Sequence, residues 1–285
     1  MAVNAFLFFG NYLPRTSSAS DPVLVGAGDI ATCPGEGDEA TARLLDDIPG
    51  TVFTTGDNAY PEGADTDYAD CYYPTWGQFR ARTNPVPGNH EYETADASGY
   101  FDYFGSAAGD PTKGYYSYEL GGWHIVALNS MCEEVGGCGE SSPMVTWLEK
   151  DLADHPEASC TLAYFHHPLF SSGKHGNNPK MKPSWDALYA ADADVVLNGH
   201  DHSYERFAPQ KPDGTSNPER GIREFVVGSG GNGHYAILNP IANSEVHNDD
   251  TYGVLKLTLH PNSYDWKFVP AAGGTFTDSG SQQCH

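Results

Sequence analysis

Five short motifs run down the chain in one order: Gly28-Asp29, Gly56-Asp57-Asn58-Ala59-Tyr60, Gly88-Asn89-His90-Glu91, His166-His167-Pro168 and Gly199-His200-Asp201-His202. Together they supply two Asp, a Tyr, an Asn and three His, enough donors for two metal ions. A carboxylate can bridge two cations because its oxygens carry lone pairs in several directions. Imidazole and amide oxygen suit borderline or hard divalent ions. A phenol, with a pKa of about 10, is a poor ligand for a divalent ion at neutral pH. Only a strongly Lewis-acidic ion such as trivalent iron readily makes it a phenolate, so Tyr60, three residues past Asp57, bears on metal identity. Two metals about 3.5–4 Å apart can hold a hydroxide and clamp the oxygens of a phosphoryl group. The chemistry within reach is hydrolysis of a phosphate ester.

Each motif follows a short apolar run, so strands should position the donors. Val23 to Gly28 and Thr51 to Thr55 read as buried strands, with a helix from Asp38 to Asp47 between them and Asp38 as its N-cap. Val86 precedes the third motif in the same manner. This β-α-β alternation places donors at strand C-terminal ends, where α/β sheets hold their sites. Farther on, Gly114 to Leu120, Gly121-Gly122 and Trp123 to Leu128 read as a hairpin closed by a two-residue turn. Pro143 to Asp154 reads as an amphipathic helix. Thr161 to Phe165 and Asp194 to Leu197 are strands ending at the last two motifs. Phe225 to Gly228 and Val254 to Leu259 continue the pattern, and Tyr264 to Val269 reads as the final strand. Without repeats or a long linker, residues 21–285 read as a single domain.

The composition bounds the partners. A formal net charge of −23 over 285 residues argues against a nucleic-acid backbone as partner, which needs a Lys/Arg footprint. Any attraction for phosphate must be local and metal-borne. No apolar run approaches a membrane span, so no membrane partner is expected. Six cysteines lack a CxxC pattern. Cys132 and Cys138 flank a Gly-rich segment that a local disulfide would close. Cys33 and Cys71 follow two of the donor loops, and Cys160 and Cys284 remain. Six cysteines allow fifteen pairings, and buried free thiols are the alternative. Few lysines and loops rich in Gly, Pro, Asn and Ser favour a secreted or extracytoplasmic protein. Residues 1–20 read as an N-terminal extension: a leader remnant, a cloning scar or a surface strand. Ala5 to Phe9 is apolar but too short for a signal core, and no Lys or Arg precedes it.

The ordered motifs resemble the calcineurin-like metallophosphoesterase superfamily, and the Tyr after Gly-Asp-Asn-Ala is similar to its purple acid phosphatase branch. That branch reads Gly-Asp, Gly-Asp-x-x-Tyr, Gly-Asn-His-(Asp/Glu), a strand-ending His and Gly-His-x-His. The likeness spans about Val23 to Phe207. It implies a four-layer α/β sandwich, two mixed β-sheets flanked by helices. It implies Asp29, Tyr60 and His202 on a trivalent iron, Asp57 bridging, and Asn89, His166 and His200 on a divalent Fe, Zn or Mn. The His-x-Pro pattern selects His166 over His167, in keeping with neighbours on a strand pointing to opposite faces. His90 would contact phosphate or protonate the leaving oxygen, with Glu91 orienting or supporting it, and His175 in the loop after the His-x-Pro strand is a second candidate for the acid. The implied activity is a phosphomonoesterase of acid-phosphatase type, with a metal-bound hydroxide as nucleophile and a histidine as general acid. The substrate would be a small phosphate ester. A phosphodiesterase or nucleotidase on the same site is the alternative, and a non-catalytic metal-binding module is a further class. Ser/Thr protein phosphatases fit less well: their first motif continues Gly-Asp-x-His, where this chain reads Gly28-Asp29-Ile30-Ala31.

Gly228 to His234 reads as a tight turn that lines the pocket. It lacks the Lys-Ser/Thr of a nucleotide-triphosphate loop. Arg206 reads as a structural ion-pair residue and Lys174 as a solvated one.

Overall fold

The computed structural model describes residues 21–285; the N-terminal extension lies outside the described residues. Two mixed sheets face each other. The first has six strands: β1 (Val23–Ala27), β2 (Thr51–Thr55), β3 (Thr83–Val86), β11 (Gly253–His260), β12 (Ser263–Pro270) and β13 (Ser279–Gln283), in the order β13-β12-β11-β1-β2-β3. The second has seven: β4 (Tyr116–Leu120), β5 (Trp123–Ala127), β6 (Cys160–Tyr164), β7 (Val195–Asn198), β8 (Tyr204–Phe207), β9 (Arg223–Val227) and β10 (Ser244–Asn248), ordered β10-β8-β9-β7-β6-β5-β4. The α-helices longer than a single turn are α1 (Gly37–Asp47), α2 (Ser98–Phe104), α3 (Pro143–Asp154) and α4 (Lys182–Ala190).

In the first sheet the parallel block β1-β2-β3 reaches one edge and the rest pairs antiparallel; in the second the parallel block is flanked on both sides by antiparallel strands. β1, β2 and β3 run parallel, as do β5, β6, β7 and β9. Parallel strands are buried on both faces, which is why they read as unbroken apolar runs. Alternation on β6 shows both sides of the second sheet. Leu162 and Tyr164 join the core shared with Phe53, Val25 and Leu255 of the first sheet. Ala163 and Phe165 turn to the other face, under Leu148 of α3 and Trp185 and Leu188 of α4. Phe53 and Tyr164 meet across the inter-sheet core with ring centroids 5.9 Å apart.

The hairpin with Gly121-Gly122 at its turn forms as read, both glycines at positive φ. α3 starts at Pro143 behind Ser142, whose hydroxyl accepts the Val145 amide. Two readings are corrected. α1 begins at Gly37, one residue early, so Asp38 lies inside its first turn and accepts a hydrogen bond from Thr75 Oγ1 instead of capping the helix. Tyr264 to Val269 is not the last strand, because β13 adds to its edge. Three disulfides join Cys33 to Cys71, Cys132 to Cys138 and Cys160 to Cys284. The last fixes the chain just beyond β13 to the start of β6. Among the described residues no helix is long and apolar enough to cross a membrane.

Candidate metal centre

The C-terminal ends of β1, β2 and β3 meet those of β6, β7 and β9; the donors lie on the loops leaving the first five, and the loop leaving β9 lines the site. The sheet ends approach so closely that residues before donors must be small. A Cβ on Gly199 would lie 2.5 Å from Asp29 Oδ2, and one on Gly88 would overlap the Asp57 carboxylate. The donors themselves bend sharply: Asp29, Asp57 and His200 hold φ of 58°, 49° and 70°. Such left-handed residues are uncommon outside glycine and gather at functional sites.

All seven donor residues converge. Asp29 and Asp57 are held alike, each with one oxygen on a backbone amide: Asp29 Oδ2 accepts from His200 N at 2.9 Å, and Asp57 Oδ1 from His90 N at 2.9 Å. The other oxygen of each lies 3.1 Å from the Tyr60 hydroxyl, which has one proton to give. His202 Nε2 is 3.2 Å from that hydroxyl and 3.3 Å from Asp29 Oδ1. On the other side, His166 Nε2 is 3.0 Å from Asn89 Oδ1, 3.1 Å from His200 Nδ1 and 3.3 Å from Asp57 Oδ2.

Backbone carbonyls fix how two of these imidazoles face. His166 Nδ1 donates to Thr55 O at 2.8 Å and His202 Nδ1 to Gly233 O at 2.6 Å. In the neutral ring each Nε2 then turns a lone pair towards the carboxylates. Acceptors thus crowd one buried space, and this donor chemistry fits two cations, one among Asp29, Asp57, Tyr60 and His202, the other among Asp57, Asn89, His166 and His200. With no metal bound, the carboxylates draw a proton into the cation's place. Burial would lower the His166 imidazole, but Asp57 and Asp29 outweigh it and push it up to about 9. Burial, with Asp29 and Asp57 beside it, pushes the Tyr60 phenol well above its usual value.

His167 lies beside His166 and His200, its ring 4.3 Å from that of His200, but hydrogen-bonds elsewhere. Its amide donates to Ser130 Oγ at 3.0 Å, and its Nδ1 lies 2.9 Å from the same hydroxyl. Burial and His166 lower its pKa to about 3, which keeps it neutral. His90 is at the rim: Nδ1 donates to Pro61 O at 2.5 Å, Nε2 lies 3.9 Å from Asp57 Oδ2, and the ring is 4.4 Å from that of Tyr60. His175 stands by the other half of the set, its ring 4.2 Å from that of His200. Burial lowers its imidazole below the ordinary value.

Glu91 does not orient His90. Wholly buried, it accepts from the amides of Asp57 (3.0 Å), Asn58 (2.7 Å) and Gly88 (2.6 Å) and from the Tyr68 hydroxyl (3.1 Å). It locks the second donor loop to the third, a role for backbone amides that no side-chain pattern announces. Arg206 pairs with Asp278 and Glu245, away from the donors. Lys174 is exposed, in keeping with its sequence setting, with Nζ 4.3 Å over the Tyr235 ring. Tyr235, which no motif flagged, stacks on His202 at 4.0 Å. The turn from Gly228 to His234 does line the site, through the Gly233 carbonyl and the His234 ring near His202 O.

A family model described as calcineurin-like phosphoesterase matches residues 23–204. Purple acid phosphatase 21 of Arabidopsis thaliana is 29% identical over 218 residues, covering 67% of this chain and 47% of the relative. A nucleotide pyrophosphatase/phosphodiesterase of Hordeum vulgare is 25% identical, covering 84% of this chain and 74% of the relative. Among solved structures, a purple acid phosphatase from yellow lupin (Lupinus luteus) seeds superposes with a TM-score of 0.75 at 20% identity, over 93% of this chain and 54% of that one. That likeness supports the two-sheet fold. The chain spans about half the length of the first curated relatives it matches.

Proposed function

The chain belongs to the calcineurin-like phosphoesterase family, and on that premise we propose that it hydrolyses phosphoric esters, phosphomonoesters first, with the aid of two metal ions. One observation carries the reading: seven donors face one buried space with the protons of His166 and His202 fixed on the far side of their rings. Asp29, Tyr60 and His202 would hold a trivalent iron, Asp57 would bridge, and Asn89, His166 and His200 would hold a divalent Fe, Zn or Mn. The iron assignment rests on Tyr60, whose phenol resists ionisation beside two carboxylates, so that only a strong Lewis acid would bind it as phenolate. When bound, such ions neutralise phosphoryl oxygens and supply an ionised water at neutral pH.

The protein's own groups do the rest. Five strand ends hold the donors before substrate arrives, so little reorganisation is needed at the reacting centre. With Nδ1–H spent on Pro61 O, His90 turns Nε2 towards the space beside Asp57. A proton carried there can pass to the departing alkoxide, as general acid catalysis requires. His175 stands at the opposite rim, where it can hydrogen-bond a phosphate oxygen or the leaving group. The small phosphate ester would need no charge footprint on the surface, in keeping with a net charge of −23. Three disulfides favour a secreted or extracytoplasmic setting. Residues 21–285 would act as one domain, as a core shared by both sheets favours.

A phosphodiesterase or nucleotidase is the second reading, favoured by the Hordeum vulgare relative, which covers 84% of this chain. Hydrolysis of p-nitrophenyl phosphate against its bis-aryl diester, with and without chelator, tests both. Monoester turnover lost to chelator is expected. Preference for the diester would favour the second reading, and turnover of neither would overturn both.

A further inference from the structure

The segment Leu169–His175 runs along the rim of the donor set, and three buried carboxylates hold it. Glu224 Oε1 on β9 accepts the amides of Leu169 at 3.1 Å and Phe170 at 3.3 Å. Glu205 on β8 accepts the Ser172 amide at 2.8 Å and its hydroxyl at 2.5 Å. Asp201 accepts the His175 amide on Oδ1 at 2.8 Å and the Ser171 hydroxyl on Oδ2 at 2.5 Å. Ser171 Oγ in turn accepts the Gly173 amide at 3.0 Å. Gly173 runs so near that a Cβ there would overlap the Asp201 carboxyl group.

Asp201 is wholly buried and stands between His200 and His202 in sequence. A residue there that only filled space would serve as well with an apolar side chain, since a buried carboxylate is costly unless hydrogen bonds satisfy it. Both its oxygens are spent on Ser171 and His175; neither has a hydrogen bond to the His200 or His202 ring. We infer that Asp201 is a positioning residue that acts through His175, holding that imidazole beside His200 at the mouth of the site. The hold stands on geometry alone; its effect on turnover rests on the hydrolase reading above.

A double-mutant cycle of Asp201→Ala and His175→Ala tests this, read by kcat/KM on an aryl phosphate, by metal content and by amide hydrogen exchange over residues 171–177. Asp201→Ala should speed exchange at the His175 and Gly173 amides by at least about tenfold and leave metal content at the wild-type level. Its loss of kcat/KM should shrink to less than about twofold when His175 is already Ala. Unchanged exchange would overturn the hold. Falling metal content, or an undiminished loss in the His175→Ala background, would overturn the route through His175. Asp201→Asn keeps the shape and one acceptor; it carries the same cycle if Asp201→Ala does not fold, with a smaller rise in exchange expected. A protein that hydrolyses no ester, yet shows the accelerated exchange, would sink the hydrolase reading and support the hold.

Discussion

His166 Nε2 and His200 Nδ1 stand 3.1 Å apart. A single proton on His200 Nδ1 could bridge them, but Asn89 Oδ1 and Asp57 Oδ2 face the same His166 nitrogen at 3.0 and 3.3 Å. Neighbours of this kind around one ring nitrogen favour a positive charge there, a proton on His166 with no metal bound or a metal ion in its place. Tyr60 is crowded likewise, its one proton facing two carboxylates and an imidazole.

Asp57 is the donor common to both halves. Asp57→Asn should therefore deplete both metals together, weakening each by at least about tenfold, the scale found even for groups outside the ligand set. Elemental analysis of the purified variant checks this; full occupancy of either ion would contradict the bridging role.

Tyr60 bears on the metal's identity. Tyr60→Phe should remove the visible absorption of a phenolate–iron pair while the far-ultraviolet circular dichroism stays that of the wild type. An identical visible spectrum in the variant would rule out iron at Tyr60.

His90 and Glu91 are neighbours with separable effects. His90→Ala should slow alkyl phosphates by about 10²–10⁴-fold, the range for a lost general acid, and p-nitrophenyl phosphate far less, since its leaving group needs no proton. Glu91→Gln instead puts an NH₂ against backbone amides, leaving at least one of them unpaired at about 1–3 kcal/mol. It should lower thermal stability and metal affinity without changing the dependence on leaving group. A leaving-group dependence altered in Glu91→Gln would restore the rejected idea that Glu91 orients His90.

Asp38 gives a pH dependence remote from the donors. Burial, with Glu39 beside it, raises its carboxyl from 3.8 to about 6, although Thr75 Oγ1 donates to it. The folded state then binds the proton more tightly than the unfolded one, so stability rises as pH falls through 6 towards 3.8, and Asp38 costs stability above that window. Asp38→Asn should stabilise the protein at pH 7.5 by up to roughly 3 kcal/mol and by little at pH 4. Denaturant melts at the two pH values measure it; a gain independent of pH would show that the charge is not the cause.

How far the sequence was legible depends on which atoms do the work. The donors on Asp29, Asp57, Tyr60 and the histidines are side chains, so their types and their places after apolar runs could be read directly. β1, β2 and α3 were legible because a buried parallel strand and an amphipathic helix print their period on the sequence. β13, with the sequence Ser-Gly-Ser-Gln-Gln, carries no apolar period; its partner β12 and the adjacent Cys284 define it. What Glu91 holds was not legible because its partners are backbone amides of other loops. Thr55 O, Gly233 O and Pro61 O, which turn His166, His202 and His90, are likewise atoms that no residue type advertises. Tyr235 lies 33 residues past His202, beyond the last motif, and only the fold stacks the two.

The two-ion account is tested most directly by titrating metal-stripped protein with iron and a divalent ion while following p-nitrophenyl phosphate hydrolysis. Turnover should appear only as the second equivalent per chain fills and should level off at two. Full turnover at one equivalent, or none at any loading, would contradict a phosphoesterase built on two metals bridged by Asp57.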